Sequence, residues 1–163
     1  MKALDVSNII LTHFDYAGDL ITNKKLQKLL YYVEAWSLVY HSSLVEEDFE
    51  AWVHGPVIPD VYQQFKGFGY SAIKNEYVEG QTASEKMRHL LGASNLVQEQ
   101  KDLLFAVLNK YGSLTSFQLE TLSHSEEPWL EARKGLKDFD HSSTVINKDV
   151  MKSYYSSLVN GKK

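Results

Sequence analysis

The chain has 163 residues, of which 44% are hydrophobic and 23% charged, and its formal net charge is −4. That length supports a core without staples, and the acidic balance excludes a general electrostatic pull toward nucleic acid or anionic membrane. The absence of cysteine excludes disulfides, thiol catalysis, iron–sulfur clusters and Cys-ligated zinc, and the lack of a long apolar run or an apolar leader segment gives the expectation of a soluble, cytoplasmic protein.

Residues 4–16 carry Val6, Ile9, Ile10 and His13 at helical spacing, ended by Asp15 and Gly18. The next helix is the strongest signal. Thr22 precedes it as N-cap, and Leu26, Leu29, Leu30, Val33, Trp36 and Tyr40 fall on one face. A second stripe runs through Gln27, Tyr31, Glu34 and Leu38. A helix with two stripes either sits centrally or offers one face to a partner. Residues 49–54, FEAWVH, read as a short strand that Pro56 stops, and Pro59 then suits the first turn of a helix over 59–66. The segment 73–79 is the expected antiparallel partner of that strand.

Further on, 84–91 predicts a short helix. NLVQEQKDLLFAVLNKYG predicts a longer one, with acids early and Lys110 late. Thr115 and Gln118 stand at capping-box spacing, Pro128 sits at an early helical turn, and Asn147 caps a last helix. The pieces VEGQTASE (78–85) and NGKK (160–163) look flexible. The sum is a mainly α chain, α+β by the letter: a compact helical domain over 1–163 with a small antiparallel β element around 49–54 and 73–79.

Catalytic constellations are missing. No two of the six histidines lie within five residues of each other, and there is no H-E-x-x-H, G-x-S-x-G, P-loop or G-x-G-x-x-G pattern. No cofactor, metal or catalytic residue is expected. TSFQLETLSHSEEPWLEARKG has a helix–turn–helix outline. Its second helix would begin with Glu126 and Glu127, the wrong charge for phosphate, so nucleic acid is disfavoured as a partner.

Three motifs follow one another in the chain: KLQKLLYY (25–32), EAWVHGPVIPDVYQQF (50–65) and LSHSEEPWLEAR (122–133). In this order they resemble the Panacea family, SocA-like antitoxins that include phage-associated GepA proteins. The likeness covers about residues 5 to 135. Glu34 stands where the family often has Gln, and Ser123 where Thr is commoner. The segment 140–163 carries no family signature, and its helix has an open role. The resemblance implies a non-enzymatic antitoxin that binds and neutralises a co-encoded toxin. One branch of the family looks like a proteolytic adaptor, which would deliver the toxin to a Clp-type protease. Two alternatives stand beside it: a phage-associated adaptor that acts on the host without a toxin, and a DNA-binding autoregulator.

The motif match makes Lys25, Gln27, Lys28, Tyr31 and Tyr32 on the second helix candidate partner contacts. Trp52, His54, Pro56 and Tyr62 at the corner follow, then His124 and Trp129. Lys25, Gln27, Lys28 and Tyr31 are the favoured contacts, because polar groups repeated along a helix are not needed for its core. The three tryptophans favour the core.

Overall fold

The structure, a computed structural model, describes residues 1–161. Among them are eight α-helices and a two-stranded antiparallel sheet, so the chain is mainly α with a small β element. The helices are α1 (Ala3–Tyr16), α2 (Asn23–Tyr40), α3 (Pro59–Phe65), α4 (Ala83–Ala93), α5 (Gln98–Gly112), α6 (Ser116–His124), α7 (Glu127–Ala132) and α8 (Lys148–Asn160); the strands are β1 (Glu50–Trp52) and β2 (Gly55–Val57).

α2 is the axis of the fold. Thirteen of its 18 residues are buried, and α1, α3, α5, α6, α8 and β2 all pack on it. Both stripes read from the sequence therefore face protein, except at Tyr40, which is exposed at the end of the helix. Leu26, Leu29 and Leu30 are fully buried, each contributing roughly 1.5–3 kcal/mol relative to an exposed side chain. The helix begins where expected: Thr22 Oγ1 accepts the Lys25 amide at 3.2 Å. Other local signals hold as well. Thr115 and Gln118 form a capping box on α6, Pro59 and Pro128 sit in first turns, and Asn147 accepts two amides at the start of α8. The stretch 78–85, which looks flexible in the sequence, ends in a capping box between Thr82 and Glu85 that starts α4. The end of the NGKK tail, Lys162 and Lys163, lies outside the described residues.

The sheet is built differently from the sequence expectation. β1 pairs with β2, its own continuation, in the register Glu50↔Val57, Ala51↔Pro56 and Trp52↔Gly55. Pro56 thus sits inside a strand instead of stopping one. The reason lies in the pairing. Ala51 sends its amide to Thr144 O at 2.9 Å and its carbonyl to Arg133 Nη1 at 3.0 Å, both away from β2. Ala51↔Pro56 is therefore a non-hydrogen-bonded pair, and the missing proline N–H costs no ladder bond. Residues 73–79 do not pair with β1. Ile73 donates to Ile21 O at 2.8 Å, and the segment continues along α1, where Asn75 donates to Thr12 Oγ1 at 3.0 Å. The outer edge of β1 is taken by residues 144–146 instead: Ile146 donates to Phe49 O at 2.7 Å, with an isolated bridge between Glu50 and Val145.

The C-terminal segment belongs to the core. Met151 and Tyr155 of α8 are fully buried and α8 lies along α2. Glu34, buried in the middle of α2, ties the two helices together. It accepts from Ser43 Oγ at 2.6 Å and from the amides of Leu44 and Val45 at 2.8 and 3.0 Å. It also pairs with Lys148 Nζ at 3.1 Å.

Candidate functional site

The three motifs meet at the hairpin corner. Gln27 and Lys28, one turn into α2, lie directly beneath it. Gln27 Oε1 accepts the Ile58 amide at 3.0 Å, which satisfies an orphan donor at the start of α3, and its Nε2 donates to Asn23 at 3.1 Å. Lys28 Nζ donates to Pro56 O at 3.3 Å. Gly55 closes over the lysine with φ +110°, and a Cβ there would stand 2.4 Å from Lys28 Cε. Only glycine meets both demands.

The third motif braces the far side. Trp129 Nε1 donates to Trp52 O at 2.9 Å. His124 stacks on Trp129 with centroids 4.0 Å apart. The buried Arg133 guanidinium reaches Ala51 O and the carbonyls of Lys137 and Asp140, so it clamps the segment after α7 against β1. Glu126 is buried too. It accepts Tyr32 Oη at 2.6 Å and Tyr155 Oη at 2.9 Å, so it faces the core and not a phosphate backbone. Burial pushes its carboxyl above the usual range, and the two tyrosine hydrogen bonds oppose that.

These contacts correct the expectation that the polar residues of α2 are free for a partner. Gln27, Lys28, Tyr31 and Tyr32 are 1% exposed or less, because each is spent on an internal partner: a helix start, a strand carbonyl, the Phe49 ring and a buried carboxylate. Lys25 is half-buried and donates to Gly112 O at 2.7 Å, which closes the end of α5. Pro56 and Trp129 are buried as well. Among the sequence candidates, His54 is exposed, and solvent reaches Lys25, Trp52, Tyr62 and His124 in part. Trp52 and Tyr62 pack edge to face at 5.0 Å. His54 Nδ1 lies 2.8 Å from Glu120, which also pairs with Lys24.

Electrostatically the corner is unusual for its buried cation. Lys28 has no carboxylate in salt-bridge range among the described residues. Burial pulls its pKa from 10.5 down to about 7, and the more distant Glu120 restores only part. His124 is also pushed down by burial, and its Nε2 is buried without a hydrogen-bond partner among the described residues. Among those residues no group of three or more His, Asp or Glu side chains is placed to hold a metal ion.

Above the corner opens a cleft of about 1180 Å³. Gln27 and Lys28 form its floor, the hairpin and Tyr62 one wall, and Lys66, Tyr70, Phe139 and His141 its rim. These rim residues are absent from the sequence candidates. The signal that could have found them is an aromatic set in a polar loop, as in GFGYS (67–71) and KDFDHSS (137–143).

The family described as antitoxin SocA-like, Panacea domain, matches residues 26–130. The chain belongs to this SocA-like Panacea family. It is similar to the antitoxin SocA of Caulobacter vibrioides (strain NA1000 / CB15N), with 33% identity over 131 residues, covering 79% of this chain and 69% of that protein. No solved structure matches. Within the family, the matched region contains the Gln27–Lys28 pair, the hairpin corner and the His124–Trp129 stack, while Arg133's segment and α8 lie beyond it. No helix among the described residues is long and apolar enough to cross a membrane.

Proposed function

We propose that this chain is an antitoxin that neutralises a co-encoded toxin by direct protein–protein binding, acting as one unit in the cytoplasm and without catalysis. The observation that carries the reading is membership of the SocA-like family together with its expression in the fold. The three ordered motifs converge on one braced corner, held by Gln27, Lys28, Gly55 and Trp129. Such a corner is a rigid platform, and rigid platforms bind partners with a small ordering cost. The ionisable groups around it serve the fold: Glu126 holds two tyrosines and Arg133 holds carbonyls.

The test is co-expression with the product of the neighbouring gene. The neighbour alone should arrest growth, and this chain should restore it and co-purify with the neighbour. A harmless neighbour, or arrest that persists with the chain present and folded, overturns the reading. The finer mode, delivery to a Clp-type protease, is separated by repeating the rescue in a host without that protease. Loss of rescue with binding intact indicates an adaptor; retained rescue indicates occlusion.

A further inference from the structure

The cleft above the hairpin corner has two properties beyond its size. Its rim carries large aromatics with no packing partner: Tyr70 is 102% exposed and Phe139 85% exposed. Uncovered aromatics of that size are the residue type that anchors protein interfaces. Its charge also runs against the chain. Lys24, Lys28 and Lys66 line it, with His54 and His141, whereas the one lining carboxylate is Glu50, and Glu50 Oε2 already accepts Trp52 Nε1 at 2.7 Å. Glu120, behind the wall, answers Lys24 and His54, and Asp140, next in sequence to Phe139 but outside the lining, accepts the Lys137 amide. Lys66, exposed on the rim, has no carboxylate in range among the described residues, while Lys28 lies buried beneath the floor. In a chain of net charge −4 this is a local positive recess.

At about 1180 Å³ the cleft exceeds the ~300–1000 Å³ usual for small-molecule pockets, and it is open. We propose that the cleft is the docking site for an extended, acidic segment of the partner protein, whose carboxylates face Lys66 and Lys24 and whose apolar side chain packs between Tyr70 and Phe139. The inference rests on the antitoxin reading for the identity of that partner, but not for the chemistry of the segment. The floor, the hairpin wall and the Lys66–Tyr70 side of the rim lie within the family-matched residues 26–130, whereas Lys24, Phe139 and His141 lie outside them.

Three exposed substitutions test it: Lys66→Glu, Tyr70→Ala and Phe139→Ala, none of which removes a core contact. Each variant is first checked for wild-type melting. In the co-expression assay each should lose toxin binding by about tenfold or more, and Lys66→Glu should remove the salt dependence of the complex. If wild-type chain rescues and all three variants rescue and bind like it, the cleft is not the docking site although the antitoxin reading stands. If wild-type chain fails to rescue, the antitoxin reading falls, and the cleft is judged on the full chain by titration with two labelled hexapeptides. These are Glu-Asp-Leu-Phe-Asp-Glu and its basic counterpart Lys-Arg-Leu-Phe-Arg-Lys, followed by NMR at the Trp52 indole. Preference for the acidic peptide, abolished by Lys66→Glu, supports the proposal. No response at millimolar peptide, or equal response to both, overturns it. So does a duplex DNA that binds in the cleft and is lost with Lys66→Glu, which would make the recess a nucleic-acid site.

Discussion

Replacing Lys28 by methionine should make the protein more stable at neutral pH, even though it removes a hydrogen bond. The side chain is fully buried and its pKa falls from 10.5 to about 7 on folding. Between those values the unfolded chain binds more protons than the folded one, so stability rises with pH across the interval. At about 1.4 kcal/mol per unit, the burden carried at pH 7 is roughly 4 kcal/mol, and about 2 kcal/mol of it should be relieved by about pH 9. Methionine has similar length and no charge. It forfeits the hydrogen bond to Pro56 O and leaves that buried carbonyl unpaired, a cost of about 1–3 kcal/mol, so Lys28→Met should gain roughly 1–3 kcal/mol near pH 7.

Urea unfolding at pH 7, 8 and 9 isolates this group, because the other titrations fall elsewhere or are weaker. His13 and His124 are pushed down by burial, so their contribution is complete once the pH passes the ordinary histidine value. The buried Tyr31, Tyr32 and Tyr155 are pushed up, and their effect begins where free tyrosine ionises, near pH 10. Lys25 and Lys86 share the sign of Lys28, but solvent screens them, and they leave a small slope in the variant. A wild-type stability that is flat or falling over this range refutes the reasoning. So does a Lys28→Met variant that keeps the full slope.

Four further outcomes follow from the same contacts. Gly55→Ala combines a positive φ with a Cβ pressed on Lys28, and should cost about 2–4 kcal/mol in chemical denaturation. Glu126→Gln keeps an acceptor for Tyr32 and Tyr155 and should leave the melting temperature nearly unchanged. Glu126→Ala strands both hydroxyls and should cost about 2–4 kcal/mol by the same measurement. Glu34→Ala leaves Lys148 with only Ser43 Oγ and Val45 O as partners and strands two buried amides, and should cost about 2–4 kcal/mol, read as increased hydrogen exchange at Leu44 and Val45.

What was legible in the sequence is what short-range chemistry decides. Thr22, Thr115, Asn147, Pro59 and Pro128 act on backbone groups within a few residues of themselves, so their roles can be read without knowing the fold. Gln27 and Lys28 could not be read that way. Their partners, Ile58 N and Pro56 O, lie 31 and 28 residues away in sequence, and a polar side chain with no visible local partner looks like a surface group. The same reasoning misplaced Glu126, whose two donors come from α2 and α8. The segment 73–79 has strand-like composition, but the edge of β1 was already claimed by residues 144–146, and no periodicity reveals that competition. The ordered motifs were informative about the family because they describe how the corner is built. They were less informative about contact, because a residue used to build a corner is covered by it.

The cost of Lys28 bears on the cleft above it. A core tuned only for stability has no use for an uncompensated ammonium, and methionine would fill the same volume. Burdens of this kind are expected where function needs the group. If the lysine adds to the positive potential of the recess, an acidic segment that docks there favours the charged form and draws a proton onto Lys28. Binding should then be accompanied by proton uptake at about pH 8, where the free protein holds Lys28 mostly neutral. The measurement is calorimetric titration of the purified partner in two buffers of different ionisation enthalpy. The expected result is a fraction of a proton taken up by wild-type chain and none attributable to Lys28→Met, which should bind more weakly despite being more stable. A more stable variant that binds as tightly as wild type would reduce Lys28 to the brace of Pro56 alone.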